Sequence, residues 1–352
     1  MNICHFHLGA NISGVGSYVD RFYNHNNANF FRVDSKLKKT KDANSYSLIN
    51  LGLFGFLLFE SLGLLKFFNR NNIGIIHVHT LKALLYIILL YPFWVIKGIK
   101  IIYTGHGIRF DQKKGIINRL LFKYIEVLLL LFVNKIIYIR KYDFDLGIKK
   151  IGYQHKSAYI PTRMNIKRTR IVPKQNSYFH IYSVGSVIDI KDPYTFIKIA
   201  EKVVYFNSNV KFFWVGDGAL LNECKALILK KNLENNVFFI GERKKSEVIE
   251  LLDNDASLYL CTSKIETFPI SFIEALSCHN HIVSLPLNGL ESEFGQAVTY
   301  LNWNEIVKFI VNYSTDEKEM FQMSEISYLF YNQILSNEGE MLNSHLKMYE
   351  EL

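Results

Sequence analysis

Seven residues lie between Glu266 and Glu274, and among them Pro269 precedes a largely apolar run that continues past Glu274 to Leu276. Proline fits the first position of a helix, where its missing N–H needs no partner. A helix tip just after Pro269 leaves the amides of Ile270 and Ser271 without intrahelical acceptors, which makes a ready anion site. Glu266 then lies in the loop before the helix, and Glu274 about 7–8 Å along its axis at 1.5 Å per residue. A carboxylate beside an anion site is electrostatically odd unless it faces hydroxyls. The predicted chemistry is a diphosphate at the tip, a sugar at Glu266 and a ribose at Glu274. Two surface glutamates flanking a helix start would satisfy the same spacing.

Other constellations carry less. His5-x-His7 and His77-x-His79 each place two imidazoles on one face of a strand. A metal could use such pairs. They come from different strands, however, with no cysteine or carboxylate nearby, so buried or cleft-lining histidines are expected. Gly14-x-Gly16 lacks the third glycine of a dinucleotide fingerprint, with Val19 in its place. No G-x-S-x-G elbow, Walker loop or suitably placed Asp-x-Asp is present. These absences argue against an α/β-hydrolase and a P-loop enzyme, and no metal or other cofactor is expected.

The elements that must position these residues alternate along the chain. Short apolar strand patterns fall at Asn2–Leu8, Phe30–Val33, Ile75–His79, Lys100–Thr104, Lys135–Ile139 and Ala158–Ile160. Helix-length segments at 15–27, 46–68, 81–96, 114–132 and 142–150 separate them. After a cationic stretch, 163–177, strands recur at Phe179–Val184, Val210–Val215, Val237–Ile240, Ser257–Cys261, His281–Leu285 and Val298–Leu301. Such alternation predicts βαβ units, and strands this apolar predict parallel sheets covered on both faces. The fold class is therefore α/β, with two doubly wound domains: residues 1–162, a linker at 163–177, and residues 178–330. Residues 331–352 form a C-terminal helical segment. Ligands of such sheets bind beyond the carboxyl ends of the strands, and two facing domains place them in a central cleft.

The 352 residues are 49% hydrophobic and 14% aromatic, which excludes intrinsic disorder. Four cysteines without CxxC spacing exclude a disulfide scaffold and read as buried thiols in a reducing compartment. The start of the chain has no secretory pattern. Apolar runs at Leu51–Phe59, Ala83–Ile96 and Val127–Val133 are too short to span a bilayer, although lysines and arginines flank them. The formal charge of +9 divides unevenly, with a strong basic excess before residue 170 and an acidic excess after it. The basic stretch Lys36–Lys41 reads as a solvated loop. Nucleic acid is not expected, because basic and aromatic residues are not interleaved on one surface.

Several segments, in order, resemble the retaining glycosyltransferases of family 4, the "glycosyl transferases group 1" type. Glu266 and Glu274 around Phe268-Pro269 resemble the E-x7-E motif of that family. Val184-Gly185-Ser186 with Lys191-Asp192-Pro193 resembles its first C-terminal loop. Phe213-Trp214-Val215-Gly216-Asp217-Gly218, Val237–Gly241, Thr104-Gly105-His106-Gly107 and Gly14-Val15-Gly16 resemble further landmarks. The resemblance implies the GT-B fold, two Rossmann-like domains facing a cleft, with acceptor on the first and nucleotide sugar on the second. It implies sugar transfer with retention from a nucleotide diphosphate sugar to a glycan hydroxyl in surface polysaccharide assembly.

By the same resemblance, Glu266 and His106 lie at the reacting sugar. Lys191 neutralises diphosphate, Thr267, Phe268 and Pro269 approach sugar and phosphates, and Glu274 holds the ribose. Gly14 and Gly16 let the N-terminal loop approach phosphate or acceptor. The C-terminal helix is expected to return to the first domain. A lipid-linked acceptor would place the protein in the cytoplasm, peripheral on the inner membrane face. Ser186 stands where the family has an arginine, and Arg140 or Arg163 would have to compensate. A nucleotide-sugar 2-epimerase and a non-catalytic scaffold of a glycan assembly complex are the alternatives.

Overall fold

A computed structural model describes residues 2–8, 14–24, 30–34, 44–48, 55–108, 110–111, 115–166, 178–254 and 257–352. Lys36–Lys41 and most of the linker lie outside these residues. The chain divides into two units, Met1–Thr162 with Gly339–Leu352, and Arg163–Glu338.

The first unit is built on a seven-stranded sheet in the order β3-β2-β1-β4-β5-β6-β7. Its strands are β1 (Asn2–His7), β2 (Phe30–Asp34), β3 (Ser45–Ser47), β4 (Ile73–Val78), β5 (Lys100–Gly105), β6 (Lys135–Tyr138) and β7 (Ser157–Tyr159). All neighbours pair in parallel. The helices are α1 (Gly14–Asn24), α2 (Ser61–Arg70), α3 (Leu81–Ile88), α4 (Tyr91–Ile96), α5 (Ile116–Leu130) and α6 (Lys141–Lys150).

Alternation along the strands separates two faces of different chemistry. One presents Cys4, Phe6, Ile76, Val78, Ile101 and Tyr103, which form one apolar core with Leu64, Phe68, Leu84, Trp94, Leu129 and Leu130 of the helices. The other presents His5, His77 and Thr104, which meet α1 and the C-terminal helix through the ring contacts and hydrogen bonds described below.

Two helices expected from sequence are divided. The segment 46–68 begins instead as β3, which pairs with β2 through Val33 and Tyr46, and helical structure starts near Gly55 with a π-type turn, Phe56–Glu60, leading into α2. The open edge of β2 needs backbone partners, a demand that residues 45–47 meet and that local periodicity does not reveal. The segment 81–96 breaks between α3 and α4, because Pro92 cannot donate to, and would clash with, the carbonyl four residues back. Trp94 Nε1 donates to the Ile87 carbonyl at this break (2.7 Å).

The second unit has a six-stranded parallel sheet, order β10-β9-β8-β11-β12-β13. Its strands are β8 (Phe179–Val184), β9 (Val210–Val215), β10 (Val237–Gly241), β11 (Leu258–Cys261), β12 (Ile282–Ser284) and β13 (Val298–Tyr300). Helices α7 (Pro193–Phe206), α8 (Leu221–Lys230), α9 (Lys245–Asn254), α10 (Ile270–Ser277), α11 (Glu291–Phe294), α12 (Trp303–Tyr313) and α13 (Glu317–Phe330) cover it. Alternate strand residues feed two cores, one around Phe272, Ile273 and Phe294, the other around Phe196, Ile197 and Phe212. Tyr331 and Leu335 pack in the first of these, with Met164. The last helix, α14 (Glu338–Glu350), lies in the first unit from Gly339 onward.

Candidate active site

In the second unit the loops after β8, β9 and β10 are stacked backbone on backbone. Gly185 N donates to the Val215 carbonyl (3.0 Å), Val187 N to Asp217 (2.9 Å) and Gly216 N to Gly241 (2.9 Å). Gly216 has φ +147°, and a Cβ there would lie 2.0 Å from the Gly185 carbonyl oxygen. A Cβ on Gly218 would meet Val187 O at 2.5 Å. Gly216 and Gly218, two of the glycines that resemble family landmarks, are thus positions where no side chain fits. Trp214 Nε1 holds the same Gly185 carbonyl (2.8 Å).

Lys191 ends a 3-10 turn, Asp189–Lys191, and the next residue, Asp192, caps α7 in a left-handed conformation. The Asp192 carboxylate accepts from Thr195 N (3.2 Å) and Thr195 Oγ1 (2.8 Å). The loop after β11 is sewn to this turn. Thr262 Oγ1 donates to the Lys191 and Asp192 carbonyls, and Lys264 N to the Ile190 carbonyl (2.9 Å). This sewing brings Lys191 Nζ and Glu266 Oε1 into an ion pair, with the side chains 23% and 12% exposed. Ser263 Oγ also donates to Glu266 Oε1 (2.7 Å). Burial, reinforced by the Glu266 charge, raises the Cys261 thiol above its usual value.

Pro269 is the N-cap of α10, not its first helical residue, and the helix starts at Ile270. Its ψ of 114° is extended, so the turn closes one residue later than the sequence suggests. Phe272 N already donates to the Pro269 carbonyl (3.0 Å). The Ile270 and Ser271 amides therefore lack intrahelical acceptors. Glu274 lies one turn on and is buried. Thr267 is half-buried, and the Phe268 ring packs on Phe294 (5.3 Å between centroids). Lys191 and Glu266 are thus in direct contact, Thr267, Phe268 and Pro269 follow Glu266 in the same loop, and Glu274 lies on the helix that this loop leads into. The exposed Ser186 gives this site no second cation. Arg140 lies in the first unit, buried and bonded twice to Asp143 (2.7 Å each), and Arg163 is half-buried at the start of the second. Sequence reading assigned no role to Thr262, whose contribution depends on loop-to-loop contact, or to Ser263, whose bond to Glu266 lies within its own loop.

In the first unit His106 follows β5 and precedes Gly107, which has φ +105°. Behind it the two His-x-His pairs come together, because β1 and β4 are neighbours and His5 pairs in register with His77. The pairs come from different strands and are buried, as the sequence suggests; their adjacency follows from the strand order. His5 Nδ1 bonds His79 Nε2 (2.8 Å), and His79 Nδ1 faces His106 Nε2 (3.4 Å). His77 bonds Tyr349 OH and Thr104 Oγ1 (2.6 Å each). Tyr18 OH bonds His345 Nε2 (2.8 Å).

Burial holds His5 down to about 3 and His345 to about 4, and burial with neighbouring histidines takes His77 and His79 well below the usual range. Ligand atoms of His5, His77 and His79 lie within 4.8 Å of one another, so the three could gather round an ion. Both nitrogens of His77 and of His79 are already hydrogen-bonded, and the trio includes no thiolate or carboxylate. Gly14 and Gly16 form the first turn of α1 rather than a loop, and residues 9–13 before them lie outside the described residues.

Two parallel sheets, each flanked by helices, define the GT-B class, two Rossmann-like domains in one chain. Residues 166–328, which include Lys191, Glu266 and Glu274, match the family described as glycosyl transferases group 1, and this segment belongs to that family. The chain is similar to an uncharacterized glycosyltransferase, MJ1059, of Methanocaldococcus jannaschii, with 26% identity over 37% of this chain and 34% of that protein. It is also similar to the UDP-Gal:alpha-D-GlcNAc-diphosphoundecaprenol alpha-1,3-galactosyltransferase of Escherichia coli, with 23% identity over 64% of this chain and 62% of that protein. The matched stretches thus span about a third and about three fifths of these relatives. The crystal structure of Anabaena Alr3699/HepE in complex with UDP and glucose superposes with a TM-score of 0.80 at 15% identity, covering 100% of both chains.

Proposed function

We propose that this protein is a retaining glycosyltransferase, moving a sugar from a nucleotide diphosphate sugar to a hydroxyl of a lipid-linked glycan during surface polysaccharide assembly. The observation that carries the reading is the Lys191–Glu266 pair beside the tip of α10, with Glu274 one turn further, inside the segment that matches the family. Each partner has a second use when donor arrives. The diphosphate takes the ammonium of Lys191 and the open amides of Ile270 and Ser271. The sugar hydroxyls take the Glu266 carboxylate, and the ribose takes Glu274. Leaving-group charge is then met by a fixed cation and a helix tip, so no divalent ion is required. His106 lies at the acceptor side of the reacting sugar. UDP is the first nucleotide to test, because the names of the E. coli relative and of the Anabaena complex both contain it. Nucleic acid has no part, and the protein works in the cytoplasm at the inner membrane face.

The test is a thermal-shift and calorimetric screen of UDP, GDP and ADP and their sugars, since a ligand of the folded state raises stability with concentration over Kd. Lys191→Ala and Glu274→Ala are each expected to weaken donor binding by about tenfold or more, the loss of a charge-assisted contact. Wild-type affinity in both variants would refute the site. Silence toward all three nucleotides would favour the scaffold reading, which the exposed Ser186 in place of the family arginine supports.

A further inference from the structure

Helix α5 is amphipathic in the wrong sense for a surface helix of a soluble domain. Ile116, Ile117, Leu120, Leu121, Tyr124 and Leu128 are 47–78% exposed. At 3.6 residues per turn they share about half the circumference, and no charged residue of the helix falls within that arc. Its inward side carries Leu129, Leu130 and the buried carboxylate of Glu126, which faces Phe110 N (3.4 Å). The neighbouring elements extend the same character. Phe59, 72% exposed, follows Phe56, whose ring packs on Tyr86 of α3 (4.8 Å). Ile96, 81% exposed, ends α4, whose Tyr91 packs on Phe132 just after α5 (4.9 Å). These elements belong to the same helical layer, on the apolar face of the first sheet. Exposed large apolar side chains gathered on one helical layer of a folded domain mark an interaction site.

The surrounding charge selects the partner. Between residues 57 and 135 the sequence has eleven Lys and Arg against three carboxylates. Of the three, Glu60 and Glu126 are buried and Asp111 pairs with Arg119 (3.5 Å). Arg119 and Lys123 flank the apolar arc of α5, long side chains that can lay their stems along apolar surface and keep their charges outward. A second copy of the chain, docked face to face, would set these cations against each other, and among the described residues of 57–135 no exposed, unpaired carboxylate answers them. An anionic bilayer answers both features, with acyl chains for the arc and headgroups for its rim.

We infer that α5, with the exposed ends of α4 and of the Phe56–Glu60 turn, lies in the plane of an anionic membrane surface, its apolar arc inserted among the lipids. That this membrane holds the acceptor rests on the transferase reading; the docking itself does not.

The full chain is to be sedimented with vesicles of phosphatidylcholine alone and with about one third phosphatidylglycerol. Binding to the anionic vesicles is expected, with little to the neutral ones. Ile117→Ser/Leu121→Ser/Tyr124→Ser is expected to lower it by about 100-fold, while its urea midpoint and its nucleotide response stay those of wild type. No binding, equal binding to both vesicle types, or undiminished binding of a folded triple variant would overturn the inference. So would a dimer that the triple variant dissolves and vesicles do not compete with. Should the triple variant not fold, Tyr124→Trp decides: added fluorescence quenched by brominated lipid supports insertion, and unquenched fluorescence refutes it. Nucleotide binding is measured without vesicles, so loss of one reading leaves the other standing.

Discussion

Lys191 and Glu266 satisfy each other in the structure, and under the proposed transferase reading this sets a cost on donor binding. Both side chains are largely withdrawn from water, with Ser263 holding the carboxylate in place. Separating such a pair is favourable only if each charge finds a replacement, which a sugar diphosphate supplies and a bare nucleotide supplies in part. Glu266→Gln keeps an acceptor for Ser263 and frees the ammonium. Expected is a nucleoside diphosphate affinity up by a factor of about three to ten, together with a fall in turnover on the sugar nucleotide. Calorimetry with the nucleotide and steady-state rates with its sugar separate the two effects, and an unchanged nucleotide affinity would mean that the pair does not compete with phosphate. The glutamate and the lysine were both legible in sequence. Their pairing was not, because it depends on residues 75 positions apart in the chain folding into two adjacent loops.

Elements in the second unit hold the site by packing main chain against main chain. At Gly216 the positive φ and the Gly185 carbonyl together leave no room for a methyl group. Gly216→Ala is therefore expected to destabilise the second unit by about 2 kcal/mol or more and to misplace the Lys191 turn. Urea melts and donor affinity would both report it, and a change under about 0.5 kcal/mol would place the loops further apart than described. Strand positions here followed from apolar runs bounded by polar turns, which is local information. Helix limits were less readable. Pro269 moved from first helical residue to cap, Pro92 split a continuous apolar stretch, and Ser45–Ser47 became an edge strand because β2 offered unpaired backbone.

At the scale of the whole chain, the two ends of the sequence meet within the first unit. His5 and His77 come from the first strands and His345 and Tyr349 from the last helix, and they meet in one buried, hydrogen-bonded group. Burial holds these imidazoles neutral, His5 at about 3 and His345 at about 4 against 6.5 when exposed. The unfolded chain therefore takes up protons that the folded chain refuses. Stability from this group is fully present above pH 6.5 and is lost progressively as pH falls from there toward the folded values. Urea midpoints measured from about pH 8 to about pH 5 should hold level and then drop below 6.5, the drop being smaller in His345→Gln. A flat profile would mean that the cluster is charged or solvated.

What the sequence determined by itself was the α/β order of the elements, the two-part organisation of the chain and the identity of the residues around Pro269. Each follows from short-range pattern: apolar runs of strand length, helix-length segments between them, and a glycine, proline or acid at a turn. Tertiary structure alone decided which of those residues touch. It paired Lys191 with Glu266, brought two His-x-His strands side by side, withdrew Arg140 into a buried bond with Asp143, and left the apolar arc of α5 uncovered. Contacts of this kind depend on sheet order, which places residues distant in sequence on one face, and on which helix faces find a neighbour; neither quantity is encoded in any local stretch of the chain.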